Sequence, residues 1–265
     1  MFFRYTYRFV FLGFVLCACH LDFEDNNTIY DIFIIAGQSN THQGRGLDHN
    51  IDTPDSNIFQ LGRFSLYNHV IGIAQEPLQH HTSDDQRIGF GLTFCKLYNQ
   101  NINLENNRVL IIPCGYGGTS ISDWSSNNKL YKDLVNRVNF VLKKYPESKV
   151  KAVLWHQGES DVNNQNYAPK LDTFILQIQK DLGGNTPFIL GGMVPYWAAL
   201  KPTHVAQQNI IKSTPERIPN TAYANPDIPF IIEKEDNTYN SVHYNAAGQR
   251  ELGIRYFNAF LKLSD

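Results

Sequence analysis

The chain has 265 residues, of which 42% are hydrophobic and 18% are charged, and its formal net charge is −2. This composition is typical of a folded globular protein and argues against a disordered chain. The near-neutral charge, without a stripe of lysine and arginine, argues against a nucleic-acid partner. The length suits one large α/β domain or two small ones.

The first segment in chain order is predicted to be an export signal. Arg4 and Arg8 precede an apolar run from Phe9 to Ala18, after which polar residues follow. Basic, apolar and small residues in this order predict a signal peptide over residues 1–19, and the run is shorter than the ~20 apolar residues of a transmembrane helix. Cys19 also fits a bacterial lipoprotein signal. We therefore expect an exported protein, either released or attached to the membrane through a lipid on Cys19, which a mass measurement of the mature N-terminus would distinguish.

Short apolar runs alternate with amphipathic segments over residues 28–265, which we interpret as a single domain. Continuous runs of this kind predict strands that are buried on both faces; they cover residues 30–37, 108–114, 151–156, 187–192 and 228–232. Apolar residues three and four apart predict helices, over 89–100, 130–145, 167–182 and 246–263. The alternation predicts a three-layer α/β/α sandwich with a central, mostly parallel sheet of five strands.

Polar and glycine-rich segments follow three of the predicted strands. They are "GQSN" (37–40), "GYGGTSISDW" (115–124) and "WHQGESD" (155–161). In such sheets ligands bind at the carboxyl ends of the strands. The hydroxyl of Ser39 could act as a nucleophile if a base lies near, and His243, just before the last helix, is a candidate base. Each motif alone also fits an ordinary turn or helix cap.

Taken together and in order, these segments resemble the GDSL/SGNH hydrolase superfamily, and within it the carbohydrate esterases that include sialate O-acetylesterases and acetyl xylan esterases. The resemblance covers nearly all of the chain after the signal and implies a flavodoxin-like SGNH fold. The matching segments are "GQSN" (37–40), "EPLQHH" (76–81), "GFG" (89–91), "GGTSISDW" (117–124), "WHQGESD" (155–161) and "VHYNAAGQRELGIRYFNAF" (242–260).

The resemblance also implies roles for individual residues. Ser39 would be the nucleophile and His243 the general base. The oxyanion hole would consist of the backbone N–H of Ser39, the N–H of Gly118 with Gly117 as the alternative, and the side chain of Gln157.

The third catalytic residue, the acid that would support His243, does not follow the common pattern of the superfamily. Many members of the superfamily have an aspartate three residues before the histidine, where this chain has Asn240. An amide cannot supply the negative charge that stabilises an imidazolium. We therefore expect Glu159 to be the acid, with Asp236 as the alternative.

The expected substrate, again from the resemblance, is an O-acetyl group on carbohydrate, which would be released through an acyl-serine. Gln38, Asn40 and Trp124 are expected to bind the substrate. No metal-ligand spacing is present, so no metal or other cofactor is expected. Two alternatives stay open at this point: a carbohydrate-binding relative with weak catalysis, and a lipase or thioesterase of the wider superfamily.

Overall fold

The computed structural model describes residues 27–82, 84–103, 107–234 and 241–264. The predicted signal, residues 1–19, and the alternative acid Asp236 lie outside these ranges. Within them, no helix is both long and apolar enough to cross a membrane, and no group of His, Cys, Asp and Glu side chains is arranged to hold a metal ion.

In the part of the chain that the structure describes, nine strands form two sheets. The large sheet has seven strands in the order β4-β3-β6-β1-β7-β8-β9, and its neighbours are parallel except for the antiparallel edge strand β4. Strands β2 and β5 pair separately and antiparallel. The strands are β1 (Tyr30–Gly37), β2 (Gly44–Arg45), β3 (Ile58–Leu61), β4 (Ile71–Ile73), β5 (Arg87–Ile88), β6 (Arg108–Pro113), β7 (Lys149–His156), β8 (Phe188–Gly191) and β9 (Thr221–Ala224).

Helices cover both faces of the large sheet, so the three-layer prediction is confirmed. The side chains of β1 alternate between two hydrophobic cores. Ile32 and Ile34 join the core with α2 and α3, whereas Phe33 and Ile35 join the core with α1 and α7. The helices are α1 (Gly91–Asn101), α2 (Lys129–Lys144), α3 (Tyr167–Asp181), α4 (Pro195–Ala198), α5 (Pro202–Lys212), α6 (Thr214–Arg217) and α7 (Ala246–Ser264).

The predicted strand count is corrected in two ways. The sheet has seven strands rather than five, because the short strands β3 and β4 extend it at one edge. The strand predicted over 228–232 is wrong, and the last strand is Thr221–Ala224. Ile228 and Phe230 are more than half exposed, and Pro229 has no N–H to give to a ladder. Residues 228–231 of the apolar run are therefore exposed and only Ile232 is buried, whereas the true strand is the less apolar segment Thr221–Ala224.

Strand β1 occupies the centre of the sheet, and this position defines where a site can form. The chain places β6 on one side of β1 and β7 on the other. The carboxyl ends of these three strands therefore meet at a topological switch point, where open α/β sheets bind ligands. The three polar segments predicted from the sequence are the loops that leave these strand ends.

Candidate active site

Ser39 lies on a tight turn directly after β1. Gly37 makes this turn possible, since its φ is 123° and a Cβ atom there would lie 2.0 Å from the carbonyl oxygen of His156. Only glycine tolerates both conditions. The backbone N–H of Gln38 donates to the same carbonyl at 2.8 Å, which ties the turn to the end of β7. The short 3₁₀ helix Ser39–Thr41 follows, with Ser39 partly exposed between buried neighbours.

His243 reaches Ser39 from the opposite end of the chain. It lies in the loop before α7, and its Nε2 atom is 2.9 Å from the Oγ atom of Ser39, although the two residues are 204 positions apart. This is hydrogen-bonding distance for a nucleophile and its general base. The structure thus brings together the two residues on which the sequence interpretation depends.

Neither carboxylate oxygen of Glu159 is hydrogen-bonded to His243. Its Oε1 atom accepts a hydrogen bond from Nδ2 of Asn40 at 2.6 Å and lies 3.4 Å from Nε2 of His156. Burial alone would raise the pKa of Glu159, but the adjacent imidazole of His156 and the hydrogen bond from Asn40 outweigh it and hold the pKa below its ordinary value. The expectation that Glu159 is the acid beside the base is therefore corrected. Glu159 is a buried carboxylate that accepts a hydrogen bond from Asn40, which in turn holds the loop of His243.

Asn40 holds the backbone on both sides of His243. Its Nδ2 atom donates to the carbonyl of Val242 at 2.8 Å, and its Oδ1 atom accepts from the N–H of Tyr244 at 3.1 Å. The side chain is fully buried, so the expectation that Asn40 binds substrate is corrected. It is a positioning residue that connects the turn of Ser39, the carboxylate of Glu159 and the loop of the base.

Gln38 and Trp124 are also buried rather than open to a ligand. The Oε1 atom of Gln38 accepts from the backbone N–H groups of Gly158 and Ser160, at 3.4 and 3.2 Å. Trp124 ends a 3₁₀ helix with its ring 5.1 Å from that of Trp155, in an edge-on arrangement within the core. Both expectations of substrate binding are therefore corrected. Gln38 fixes the loop after β7, and Trp124 packs the core beneath the site.

The structure distinguishes Gly117 from Gly118, the two glycines that the resemblance offered as the second oxyanion donor. The N–H of Gly117 donates to Oγ1 of Thr82 at 3.0 Å. For the N–H groups of Ser39 and Gly118, the described ranges contain no acceptor, and a Cβ atom on Gly117 would lie 3.9 Å from that of Ser39. The geometry therefore favours Gly118 over Gly117 as the second donor beside Ser39.

Gln157 is not available as a third donor. Its Nε2 atom has three acceptors for two hydrogens: Oδ2 of Asp161 at 2.6 Å, the carbonyl of Thr119 at 3.2 Å and Oε1 of Gln38 at 3.3 Å. The side chain is only 1% exposed. Asp161 also accepts from the N–H of Ile121 at 2.6 Å. Gln157 and Asp161 thus hold the glycine-rich loop in place, which corrects the expectation that Gln157 forms part of the oxyanion hole.

A groove opens beside the glycine-rich loop. It has a volume of about 540 Å³, and Tyr116 at its edge is 40% exposed. Most other groups that line it are polar or backbone; the lining residues are Tyr116, Gly117, Gly118, Thr119, Asp123, Asn128, Lys129 and Leu130. The groove is lined by Gly117 and Gly118, and a Cβ atom on Gly117 would lie 3.9 Å from Cβ of Ser39, so the groove lies next to the nucleophile.

Sequence reasoning missed three side chains near this loop: His42, His80 and Thr82. His42 contacts Thr82, which binds Gly117, and His80 binds the N–H of Gly115 at 2.9 Å. The sequence offered a concentration of polar residues in "THQG" and "QHHT", and the matching segment "EPLQHH" contains His80 without assigning it a role. Their partners lie 35 to 40 positions away, so no local spacing could have revealed the pairs.

Comparison with known proteins agrees with this architecture. A family model described as carbohydrate esterase, sialic acid-specific acetylesterase matches residues 29–262. A probable carbohydrate esterase of Arabidopsis thaliana is 31% identical over 173 residues, which is 57% of this chain and 64% of that protein. A probable 9-O-acetyl-N-acetylneuraminic acid deacetylase of Escherichia coli (strain K12) is 26% identical over 181 residues, 52% of this chain and 56% of the relative. The match thus spans less than two thirds of either relative's length.

Among solved structures, NanS superposes with a TM-score of 0.76 at 20% identity, over 90% of this chain and 98% of NanS. A serine on the turn after the central strand, in contact with a histidine from the last loop, places the protein in the SGNH/GDSL structural class. Within that class, the match over residues 29–262 is decisive: the chain belongs to the carbohydrate esterase family of sialic acid-specific acetylesterases.

Proposed function

We propose that this protein is a serine esterase that removes O-acetyl groups from carbohydrate through an acyl-serine intermediate. The observation that carries the proposal is the 2.9 Å contact between Nε2 of His243 and Oγ of Ser39, on a turn at the switch point of the sheet. Membership of a carbohydrate esterase family supports the same reaction class.

In the first half of the reaction, His243 takes the proton of Ser39 while the hydroxyl oxygen attacks the ester carbonyl. The carbonyl oxygen becomes an oxyanion, which the N–H groups of Ser39 and Gly118 would bind. Preorganised donors of this kind are usually the largest single contribution to catalysis. His243 then gives its proton to the departing sugar oxygen, and acetyl-Ser39 remains.

In the second half, His243 removes a proton from water, which attacks acetyl-Ser39. The same two N–H groups bind the second oxyanion, and the proton returns to Ser39 as acetate leaves. The imidazole must keep its orientation through both proton transfers. The two hydrogen bonds between Asn40 and the backbone on either side of His243 serve this purpose, one donated by Asn40 to Val242 and one accepted by it from Tyr244.

The groove beside the hole supports a polar substrate. Asp123, Asn128 and Lys129 line it together with the glycine-rich backbone, and half-exposed Tyr116 offers an aromatic face of the kind that sugar rings pack against. A long acyl chain would need a continuous apolar groove, so we favour a short acyl group on a sugar. The curated relatives, one described as a probable sialic acid deacetylase, support the acetylated sugar as substrate.

The proposal is tested by measuring acetate release from a panel that contains O-acetylated sialic acid, acetylated xylan and nitrophenyl esters of increasing acyl length. We expect release from at least one acetylated sugar, and faster hydrolysis of the acetyl ester than of the longer ones. A preference for long acyl chains would instead indicate a lipase or thioesterase. The absence of turnover on every substrate would contradict the proposal and favour a binding protein.

A further inference from the structure

A chain of hydrogen bonds connects the residue before the nucleophile with the glycine-rich loop. The carbonyl of Gln38 accepts from Oγ1 of Thr41 at 2.7 Å, and Oγ1 of Thr41 lies 2.7 Å from Nδ1 of His42. On the other side of the ring, Nε2 of His42 lies 2.7 Å from Oγ1 of Thr82. Thr82 in turn accepts from the N–H of Gly117 at 3.0 Å. We refer to Thr41, His42 and Thr82 as the relay.

Only one arrangement of protons satisfies every member of the relay. A carbonyl can only accept, so the hydroxyl of Thr41 donates to Gln38 and must accept from Nδ1–H of His42. A backbone N–H can only donate, so Thr82 accepts from Gly117 and gives its own proton to Nε2 of His42. His42 is therefore neutral, with its proton on Nδ1.

The surroundings of His42 keep it in this state. Burial lowers the pKa of His42 to about 3, and the nearby positive charges of His243, Arg87 and His81 act in the same direction. The ring also stacks on His80, with centroids 4.9 Å apart. His42 is thus uncharged near neutral pH, which agrees with the single proton arrangement that the hydrogen bonds allow.

The glycine-rich loop comes so close to the relay that only glycine fits at the point of contact. A Cβ atom on Gly115 would lie 2.0 Å from Oγ1 of Thr41 and 3.0 Å from Nδ1 of His42, so glycine alone allows this approach. Gly117 is held by Thr82, and the next residue, Gly118, has a φ of 75° and supplies the proposed second donor. The relay therefore spans the oxyanion hole, from the residue before Ser39 to the residue before Gly118.

We propose that His42 and Thr82 are positioning residues that set the distance between the two halves of the oxyanion hole. This inference rests on the proposed function. The hydroxyl of Thr82 is its critical atom, because it both accepts from Gly117 and donates to His42. Thr82 is only partly buried, so the hydroxyl can be removed with little disturbance of the core.

The test compares Thr82→Val, which keeps the shape and removes the hydroxyl, with Thr82→Ser, which keeps the hydroxyl. Loss of a whole oxyanion donor costs roughly 10²–10³ in kcat, so a misplaced donor in Thr82→Val should cost about 10- to 100-fold. Because the oxyanion exists only along the reaction path, KM for nitrophenyl acetate should change by less than about twofold. Thr82→Ser should restore most of kcat, and Thr82→Ala should behave like Thr82→Val.

Three controls separate this role from others. Thr173→Val makes the same change on the exposed surface of α3, where the hydroxyl donates to the carbonyl of Pro169 within the helix, and should leave kcat unchanged. The pH dependence of kcat/KM and the melting temperature should match the wild type in all Thr82 variants. The positioning role of Thr82 and His42 would be contradicted by a wild-type kcat in Thr82→Val, or by a loss in Thr82→Ser equal to that in Thr82→Val. A shifted pH dependence in any Thr82 variant would also contradict it. An inactive wild type would instead overturn the proposed function itself, and the relay's role with it.

Discussion

Replacing Ser39 with alanine should lower kcat for acetate release by roughly 10⁴–10⁶, and His243→Ala should have an effect of similar size. The hydroxyl and the imidazole act as one unit, because the 2.9 Å contact lets the ring take the proton that the nucleophile must lose. The double variant should therefore be no slower than the slower single variant. Initial rates on nitrophenyl acetate and on an acetylated sugar provide the measurement.

Matched controls for this experiment are present in the chain. Ser56→Ala and His49→Ala make the same chemical changes at exposed positions outside the site, and both should keep the wild-type rate. A Ser39→Ala variant that retains more than about a tenth of the activity would contradict the assignment of the nucleophile, as would strictly additive losses in the double variant.

Replacing Asn40 with aspartate should lower kcat by about 10²-fold, because displacement of the base by even an ångström has an effect of that order. The new carboxylate has no proton for the carbonyl of Val242, and it lies against the carboxylate of Glu159, to which Nδ2 of Asn40 donates at 2.6 Å. The loop that carries His243 would lose one of its two anchors. Kinetics and the melting temperature should both show the change.

A second substitution in the same cluster sharpens this prediction. In the double variant Asn40→Asp with Glu159→Gln, the amide of residue 159 can donate to the new carboxylate, so part of kcat and of the melting temperature should return. Glu159→Gln alone should have a smaller effect than Asn40→Asp, since its carbonyl still accepts from Asn40. If Glu159→Gln alone is as damaging as Ser39→Ala, then Glu159 is the triad acid and our correction of its role is mistaken.

The layered fold was predictable from the sequence because the central strands leave a strong local signal. Residues 30–37 are buried without exception, and such a run appears as continuous hydrophobicity. The last strand, Thr221–Ala224, has no comparable run. The more apolar segment 228–232 contains Pro229, and its residues 228–231 are exposed. Hydrophobicity alone could not tell which of the two segments forms the strand, because Thr221–Ala224 becomes part of the sheet through its pairing with β8.

The positions of the reactive groups were also accessible to sequence reasoning, whereas the partners of the buried amides were not. A serine after a strand and a histidine before a helix are recognisable as a pattern. By contrast, the contacts of Asn40 with Glu159 and Val242 join residues 119 and 202 positions apart. A polar side chain at a strand end is equally compatible with facing a ligand and with holding a loop, and only the tertiary contacts decide between them.

The central claim is that acetyl is transferred to the oxygen of Ser39, and trapping the intermediate tests it most directly. An activated acetyl ester should acylate the enzyme faster than water releases it, so mixing, acid quenching and peptide mass analysis should detect the covalent species. The account predicts one acetyl group on Ser39 and none on this peptide in Ser39→Ala. An acetyl group on a different residue, or a burst of product that persists in Ser39→Ala, would contradict the account.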